Sequence, residues 1–315
     1  MEKLSCVIPC YCSEFSIENV VTRLIDTIEK DGRYDYEIIC VNDYSKDNTI
    51  SVLRRLGENS TKIKVLNLSR NFGQHSALMA GFRVAIGDVI VCLDDDGENP
   101  PEELFKLIDK LNEGYDLVSA KYESDNRGFI RKIGSKISFS MSRNLIHLPK
   151  GIELNSFYVF KKYIRDEIIK YDNAYPFVHG LILRVTRNMA NVYLKREGRI
   201  AGSSGYSLKK LISLWMNGFT AFSEKPLRIA SLVGALFSAS GFLFGIYLII
   251  RKLVCPDIAM GYTSLMAMVI FIGGVLLLSL GLIGEYIGRI YISINKAPQY
   301  VVKEEINVEE NSNSK

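Results

Sequence analysis

Two long stretches near the carboxyl end of the chain contain no charged residue. One covers residues 229–250 and the other residues 265–284, so the runs are 22 and 20 residues long. A helix of about 20 apolar residues can cross a hydrocarbon core about 30 Å thick. The alternative, two buried helices of a soluble protein, fits less well because such helices seldom lack a polar face over this length. The runs therefore predict a transmembrane hairpin within residues 229–290, with helices at about 229–251 and 264–287.

Basic residues flank this hairpin on both outer sides. They precede its first helix and follow its second: Lys209, Lys210, Lys225, Arg228, Arg289, Lys296 and Lys303. The connecting loop has only Arg251 and Lys252 as basic residues. Because loops rich in Lys and Arg stay in the cytoplasm, we expect a multi-pass protein of the inner (cytoplasmic) cell membrane, with both termini cytoplasmic. The amino terminus enters a strand pattern at once, without the apolar core of a secretory signal.

Composition argues against two other kinds of site. The net charge of +4 over 315 residues is too small to indicate a nucleic-acid partner. The six cysteines form no CxxC pair, and the chain has only three histidines, so a zinc site is not expected. We expect the cysteines to be reduced and structural.

The amino-terminal part of the chain alternates two hydrophobic periods. Apolar runs typical of strands cover residues 4–11, 37–43, 64–69, 89–94 and 116–121. Apolar residues at helical spacing lie between them, and Asn99 is the candidate cap of a helix at 102–111. Strands that alternate with helices predict an α/β fold with a parallel, doubly wound sheet. We assign this fold to a cytoplasmic domain covering residues 1–205.

Polar residues follow several of these strands, at the edge where a doubly wound sheet binds its ligand. They are Tyr11 and Glu14 after the first strand, Asn42 and Asp43 after the second, and Asp94 to Asp96 after the fourth. The glycine patterns GxGxxG and GxxxxGK[ST] are absent from the first strand–helix turn. Dehydrogenases and P-loop enzymes are therefore disfavoured.

Three consecutive aspartates, Asp94, Asp95 and Asp96, follow the fourth predicted strand. Two carboxylates ~4 Å apart repel by about 4 kcal/mol at an effective dielectric of about 20, so the cluster needs a compensating charge. In an extended backbone, Asp94 and Asp96 point to one side while Asp95 points away. Two converging carboxylates suit Mg²⁺ or Mn²⁺. A solvated acidic turn is the alternative, but the position after a buried strand and opposite Asp43 favours the metal.

Two basic segments follow the predicted sheet. In the first, residues 121–143, the pairs Arg127/Arg131 and Lys132/Lys136 have helical spacing. Either a solvated amphipathic helix or a membrane-surface element that receives phosphate groups explains it, and the predicted membrane helices favour the second. The other basic segment lies at 195–199, and residues 206–228 carry the apolar stripe of juxtamembrane amphipathic helices. The carboxyl-terminal segment, residues 291–315, is predicted to be cytoplasmic and partly disordered, in its acidic part after Lys303.

Four segments resemble, in order and spacing, the bacterial family 2 glycosyltransferases that load a sugar onto polyprenyl phosphate. They are CVIPCYCSE, IICVNDYSKDNT, LNLSRNFGQHSALMAGFRVAIGDVIVCLDDDGENPPEEL and GYSLKKLISLWMNGFTAFSEKPLR. The undecaprenyl-phosphate glucosyltransferases and dolichyl-phosphate mannose synthase belong to this group. The resemblance covers nearly all of residues 3–290. It implies a GT-A fold, which binds nucleotide sugars, followed by interfacial helices and the two-helix hairpin.

The resemblance also implies roles for individual residues. The nucleotide sugar would contact Pro9, Tyr11, Glu14, Asp43, Asp94 and Asp95. The metal would be held by Asp94, Asp96 and Glu98, the last in place of a glutamine common in the family. The acceptor phosphate would contact Arg127, Arg131, Lys132, Arg199 and Tyr206. The expected catalytic set is Asp94, Asp96, Arg131 and Arg199.

Three positions depart from the family pattern. Tyr44 stands where the family usually has glycine, so this loop lacks glycine's freedom at positive φ. Ser203 replaces a lysine that related chains often carry. Ser156 replaces an aspartate that is a candidate base. That loss should matter little here, because a phosphate monoester has a second pKa near ~6 and needs little deprotonation at pH 7.

The predicted reaction is a metal-dependent, inverting displacement. A polyprenyl-phosphate oxygen attacks a nucleoside-diphosphate sugar, with a UDP-sugar favoured, and gives a polyprenyl-monophosphate sugar for cell-envelope glycan modification. One alternative is a processive polysaccharide synthase, for which two spans are few and a QxxRW-like segment is missing. Another is an inactive membrane-anchored nucleotide-sugar-binding protein, which the Ser156 and Ser203 departures favour. Glycines in both apolar runs would allow helices to pack closely, either between subunits of a homo-oligomer or only within the hairpin of one chain.

Overall fold

The computed structural model describes residues 1–122, 148–149 and 151–195, ten separate positions between 232 and 254, and residues 261–295 and 297–308. The chain divides into two compact units, Met1–Leu211 with Lys296–Lys315, and Ile212–Asn295. The first unit contains a β-sheet and the candidate site. The second contains a long apolar helix.

In the part of the chain that the structure describes, eight strands form one sheet. They are β1 (Lys3–Cys10), β2 (Asp35–Asn42), β3 (Ile63–Leu68), β4 (Val89–Cys92), β5 (Leu117–Tyr122), β6 (Tyr158–Lys161), β7 (Met189–Leu194) and β8 (Val302–Ile306). Their spatial order is β7-β5-β6-β4-β1-β2-β3-β8. Strands β4, β1, β2 and β3 are parallel neighbours, and β5 is parallel to β7. The five predicted strands are all present, within two residues at each end.

The sheet is mixed, whereas the sequence predicted a parallel one. Strand β6 is antiparallel to both β4 and β5, and β8 is antiparallel to β3. Val159 of β6 pairs with Val91 on one side and with Val118 on the other, and all three side chains are buried. An antiparallel strand needs no crossover helix before it, but β6 is followed by a helix at Lys162–Ile168, so an alternation of strands and helices does not reveal its direction.

Helices connect the parallel strands and cover the sheet. They are α1 (Ile17–Asp31), α2 (Thr49–Asn59), α3 (Gln74–Val84), α4 (Leu104–Asn112), α5 (Lys162–Ile168) and α6 (Val178–Val185), with a short 3-10 turn at Pro101–Glu103. In α1 the buried Ile17, Val20, Leu24 and Ile28 recur every three or four residues, which places one apolar stripe against the core. The helix ends where Gly32, at φ +70°, donates its N–H to the carbonyl of Ile28.

The carboxyl-terminal segment corrects a prediction, because residues 302–306 form β8 instead of a disordered tail. Glu304 accepts two hydrogen bonds from Arg54, at 2.8 and 2.7 Å. The amide nitrogen of Asn307 donates to three carbonyl oxygens at the junction of α2 and β3, at 2.6 to 3.1 Å. The acidic composition suggested disorder, but its polar groups find partners on α2 and along the open edge of β3.

The second unit contains helix α7 (Tyr262–Ile294), which is 33 residues long. Among the described residues, it is the one helix with a stretch long and apolar enough to cross a membrane, Phe271–Gly288, and none of that stretch is buried within the protein. The ten described positions between 232 and 254 are helical. The first predicted span is not described continuously, so the two-helix hairpin stays a prediction. The predicted helices at 206–228 lie outside the described residues.

Candidate active site

The loops that follow β1 and β2 are joined into one unit by hydrogen bonds. The backbone N–H of Cys12 donates to the hydroxyl of Ser45 at 3.0 Å, and the carboxylate of Glu14 accepts from the N–H of Asn48 at 2.9 Å. Because parallel neighbours end at the same edge of the sheet, these two loops lie beside the turns that follow β3 and β4. The predicted residues after β1, β2 and β4 therefore meet at one edge.

Asp43 is buried and uses both carboxylate oxygens within the protein. Its Oδ1 accepts from the N–H of Phe72 at 2.7 Å, and its Oδ2 accepts from the N–H of Gly73 at 2.8 Å. Burial raises the pKa of Asp43, and the two N–H donors oppose that rise. Gly73 has φ +90°, a backbone conformation that favours glycine. Asp43 thus stabilises the turn after β3 through two hydrogen bonds. Its predicted contact with the nucleotide stays a prediction.

Asp94 is held by side chains from the beginning of α3 and from the loop before β6. Its Oδ1 accepts from Nε2 of Gln74 at 2.9 Å, and the hydroxyl of Ser156 also hydrogen-bonds to its carboxylate. Burial raises the pKa of Asp94 to about 7, the hydrogen bond from Ser156 opposes the rise, and the neighbouring carboxylates reinforce it. An aspartate in place of Ser156 would add another negative charge to this crowded position.

Asp95 has different partners from Asp94, in line with the predicted alternation. Its Oδ2 accepts from the backbone N–H of Tyr11 at 2.9 Å. Burial raises the pKa of Asp95 to about 6, and this hydrogen bond opposes the rise. Asp95 therefore fixes the loop after β1, while the side chain of Tyr11 remains about half exposed, at 48%.

The carboxylates offer oxygen donors of the kind that Mg²⁺ and Mn²⁺ prefer. Asp96 uses Oδ1 to accept from the N–H of Glu98 at 3.0 Å, across a turn in which Gly97 has φ +78°. No three Asp, Glu, His or Cys side chains in the described part of the chain are grouped as ligands for a metal ion. The turn at Gly97 therefore does not assemble Asp94, Asp96 and Glu98 as a ready set, and that ligand set stays a prediction.

Pro9 and Asn99 have structural positions in the site. Pro9 lies buried in β1 and pairs with Val41 of β2. The sequence predicted that Asn99 caps the following helix, and this prediction is wrong. Its Oδ1 accepts from the N–H of Asp94 at 2.7 Å, and its Nδ2 donates to the hydroxyl of Tyr122 at 2.8 Å. Because both polar atoms of this side chain stabilise the turn after β4, it does not hydrogen-bond to the N-terminus of the helix.

Tyr44 adopts a conformation that the sequence argued against. Its φ is +58°, in the region that favours glycine, and its side chain is 48% exposed. The loop after β2 therefore has a residue in the left-handed conformation at this position, although the residue in this chain is a bulky tyrosine.

Gln74 and Ser156 are site residues that the sequence analysis did not assign. Gln74 begins α3, just after β3, so the rule applied to the other strand ends would have found it. The contact of Ser156 depends on β6 lying beside β4, and no local pattern predicts that neighbour. The predicted residues Arg127, Arg131, Lys132, Arg199 and Tyr206, together with Ser203, lie outside the described residues.

Comparison with family models gives two matches along the chain. Residues 5–170 match the model described as glycosyl transferase family 2, and residues 225–290 match the model described as the GtrB C-terminal hairpin. The first match covers β1 to β6 and the strand ends described above, without β7 and β8, and the second covers α7 from its beginning to residue 290.

Two curated relatives align over nearly the whole chain. The uncharacterized glycosyltransferase YkcC of Bacillus subtilis (strain 168) is 34% identical, over 97% of this chain and 94% of the relative. The undecaprenyl-phosphate 4-deoxy-4-formamido-L-arabinose transferase of Proteus mirabilis (strain HI4320) is 33% identical, over 98% of this chain and 95% of the relative.

Solved structures share the fold at lower identity. Glucosyl-3-phosphoglycerate synthase from Mycobacterium tuberculosis, in complex with phosphoglyceric acid, superposes with a TM-score of 0.51 at 20% identity, over 70% of this chain and 79% of that one. The same enzyme with Mn²⁺, UDP-glucose and phosphoglyceric acid gives a TM-score of 0.50 at 21% identity, over 70% of this chain and 78% of that one. These likenesses support a GT-A-like α/β fold.

Proposed function

This chain belongs to glycosyl transferase family 2, and we propose that it transfers a sugar from a nucleoside-diphosphate sugar to polyprenyl phosphate at the cytoplasmic membrane. It is a glycosyltransferase. The acceptor is proposed because a relative that aligns over 98% of the chain is named for transfer to undecaprenyl phosphate. The apolar stretch Phe271–Gly288 supports a membrane location, where such a lipid resides.

One observation carries the proposal, namely the convergence of acidic side chains at the carboxyl ends of parallel strands. Asp94 and Asp95 are each fixed by hydrogen bonds from residues outside their own turn, namely Gln74 and Tyr11. Side chains held in this way do not have to reorganise when charge develops on a bound substrate. Asp94 and Asp95 are therefore fixed in place at the edge of the sheet where a ligand with a metal ion and a diphosphate would bind.

A divalent metal ion fits this donor set. Asp94 and Asp96 would hold Mg²⁺ or Mn²⁺ together with the donor diphosphate, as Mg²⁺ is commonly bound by one or two carboxylates plus substrate phosphates. When bound, such an ion stabilises the charge that develops on a leaving diphosphate. A related synthase of known structure contains Mn²⁺ and UDP-glucose, which makes this cofactor and a UDP-sugar the favoured pair.

The reaction is a single displacement. An oxygen of the acceptor phosphate forms a bond to the anomeric carbon, the bond from that carbon to the diphosphate breaks, and the electron pair leaves with the nucleoside diphosphate. The acceptor is largely dianionic at pH 7 and needs no base, so Ser156 in place of an aspartate is compatible with activity. Arg131 and Arg199, with Arg127, Lys132 and Tyr206, are proposed to orient the acceptor phosphate.

The test uses the full-length protein in detergent, incubated with undecaprenyl phosphate and a panel of UDP- and GDP-sugars in Mg²⁺ or Mn²⁺. Mass spectrometry of the lipid should detect one added sugar. Asp96→Ala should lower the rate by at least about 100-fold, the loss typical of a removed electrostatic stabiliser. Asp26→Ala, an exposed position on α1, is the matched control and should retain the rate.

Three results would contradict the proposal. A native rate in Asp96→Ala would remove the assigned role of the acidic turn. Polymeric products on a gel would indicate a processive synthase. Donor binding without transfer to any lipid, across the whole panel, would indicate a nucleotide-sugar-binding protein.

A further inference from the structure

Tyr44 combines a strained backbone with an exposed ring. A positive φ is a genuine outlier for a bulky side chain, because Cβ crowds the carbonyl oxygen. Of the described residues other than glycine, only Cys12, Tyr44 and Asn307 have a positive φ. Asparagine tolerates this region through its short polar side chain, whereas a tyrosine adopts it only at a cost in free energy. The strain at Tyr44 therefore calls for a compensating role.

The residues on both sides of Tyr44 are fixed, which holds it in the strained conformation. Asp43 donates its N–H to the carbonyl of Cys10 at 2.9 Å. Ser45 donates its hydroxyl to Oδ1 of Asn42 at 2.6 Å and accepts the N–H of Cys12. Strain of this kind persists only where the surroundings over-determine it, and it clusters at functional sites.

Burial does not explain why a large ring is kept at this position. The side chain of Tyr44 is 48% exposed, so half of its surface gains nothing from the protein core. A surface loop with this backbone would be more stable with glycine. A ring held open to solvent on a rigid, strained loop is instead available to contact a ligand.

The position of Tyr44 along the sheet indicates which part of a ligand it meets. The acidic turn at Asp94–Asp96 follows β4, and Tyr44 follows β2, with β1 between them. Two inter-strand spacings place these turns about 10 Å apart along the sheet edge. A nucleoside diphosphate with its diphosphate at the acidic turn, extended across the end of β1, would place its base at the end of β2.

We propose that the ring of Tyr44 stacks on the nucleobase of the donor and supplies part of its binding affinity. This inference rests on the proposed function, since it takes the ligand to be a nucleoside diphosphate. Every nucleobase has an aromatic face, so stacking strengthens binding of both pyrimidine and purine nucleotides. Tyr44 then acts on the base and not on the diphosphate or the sugar.

The test measures binding by calorimetry to the full-length protein in detergent, with UDP, GDP and inorganic pyrophosphate as ligands and Mn²⁺ present. Tyr44→Gly should weaken binding of the preferred nucleotide about tenfold, the usual scale of one lost base–aromatic stack. Pyrophosphate has no base, so its affinity should not change. Tyr44→Phe keeps the ring and should bind the nucleotide as the unmodified protein does.

Stability measurements separate a binding role from a folding defect. The Tm of Tyr44→Gly should equal or exceed that of the unmodified protein, because glycine adopts a positive φ without strain. Tyr44→Ala provides a second variant without the ring and should lose the same affinity.

Two outcomes would overturn the inference alone: unchanged nucleotide affinity in both ringless variants, or an equal loss of affinity for pyrophosphate. Failure of the unmodified protein to bind either nucleotide would instead overturn the proposed function, and this inference with it.

Discussion

At the scale of single residues, a group of buried aromatic rings lies beside the candidate site. His75, next to Gln74 in α3, has its ring centroid 5.1 Å from that of Phe177 and 6.0 Å from that of His179. The ring of Tyr158 lies 5.4 Å from that of His179. Burial lowers the pKa of His75 to about 3 and that of His179 to about 4. Both imidazoles are therefore neutral in the folded protein at physiological pH.

These histidines predict a loss of stability at acidic pH. The unfolded chain protonates each imidazole near pH 6.5, whereas the folded chain does so only near pH 3 to 4. Their contribution is complete above about pH 6.5 and decreases as the pH falls, by about 1.4 kcal/mol per pH unit for each histidine. At pH 5 this amounts to about 2 kcal/mol for each. Because the raised pKa values of Asp94 and Asp95 change the stability in the opposite direction over this range, the contribution of the histidines is measured by comparing a variant that lacks one of them with the unmodified protein, by thermal unfolding in detergent at pH 7 and at pH 5.

His75→Phe is the variant that isolates this effect. It keeps an aromatic ring in the cluster but removes one titrating group, so the Tm at pH 5 relative to the Tm at pH 7 should be higher in the variant than in the unmodified protein. A pH dependence equal to that of the unmodified protein would contradict the assignment to His75.

At the scale of elements, local sequence patterns predicted where strands and helices occur along the chain. They did not predict which strands lie next to each other in the sheet. The alternation of apolar runs identified β1 to β5 and the helices between them, because each element has its own hydrophobic period. It did not identify β6 or β7, which follow the last predicted strand. Nor did it identify β8, whose residues Glu304 and Glu305 gave the segment the composition of a disordered tail.

Strand β8 should stabilise the open edge of the sheet. Truncation after Val301 removes β8 and the contact between Ile306 and the core. It leaves the outer edge of β3 unpaired. For a domain of about 200 residues, 1 kcal/mol corresponds to about 2 to 4 °C in Tm, and loss of a whole edge strand should exceed that. Truncation after Val308 is the matched control and should leave Tm unchanged. Equal Tm values for the two truncations would contradict a stabilising role.

At the scale of the whole molecule, the chain joins a unit with a polar site to a unit with an apolar helix. In α7, the side chains of Leu276 and Leu280 are exposed to 58% and 62%. Exposed apolar surface of this extent marks contact with a membrane or another protein. With a lipid-linked acceptor proposed, a membrane is the expected environment for this helix.

Membrane insertion predicts how the protein partitions when cells are fractionated. The protein should stay with the membrane during washes in high salt or at alkaline pH and should be released only by detergent. Lysines at both positions, Leu276→Lys with Leu280→Lys, should reduce insertion, because a charge at a helix centre costs about 3 kcal/mol. The pair Leu276→Val and Leu280→Val is the apolar control. Release of the unmodified protein by salt alone would contradict insertion.

Local sequence patterns were sufficient for the α/β fold and for one helix long and apolar enough to cross a membrane. The alternation of periods predicted the α/β sheet, and the two-helix hairpin inferred from the apolar runs stays a prediction. The position of Asp94 to Asp96 after a strand predicted that the site lies at the carboxyl edge of that sheet. Each of these properties can be read within about 20 consecutive residues, because helix and strand periodicity are local.

Tertiary structure alone decided which residues meet. Gln74 reaches Asp94 only because β3 and β4 end at the same edge, and Ser156 does so only because β6 lies antiparallel beside β4. Residues 302–306 form a strand because they pair with the free edge of β3. Arg54 of α2 also donates a hydrogen bond to Glu304, which is 250 residues away in the chain. Such contacts depend on the packing of distant segments, for which the sequence carries no local periodicity.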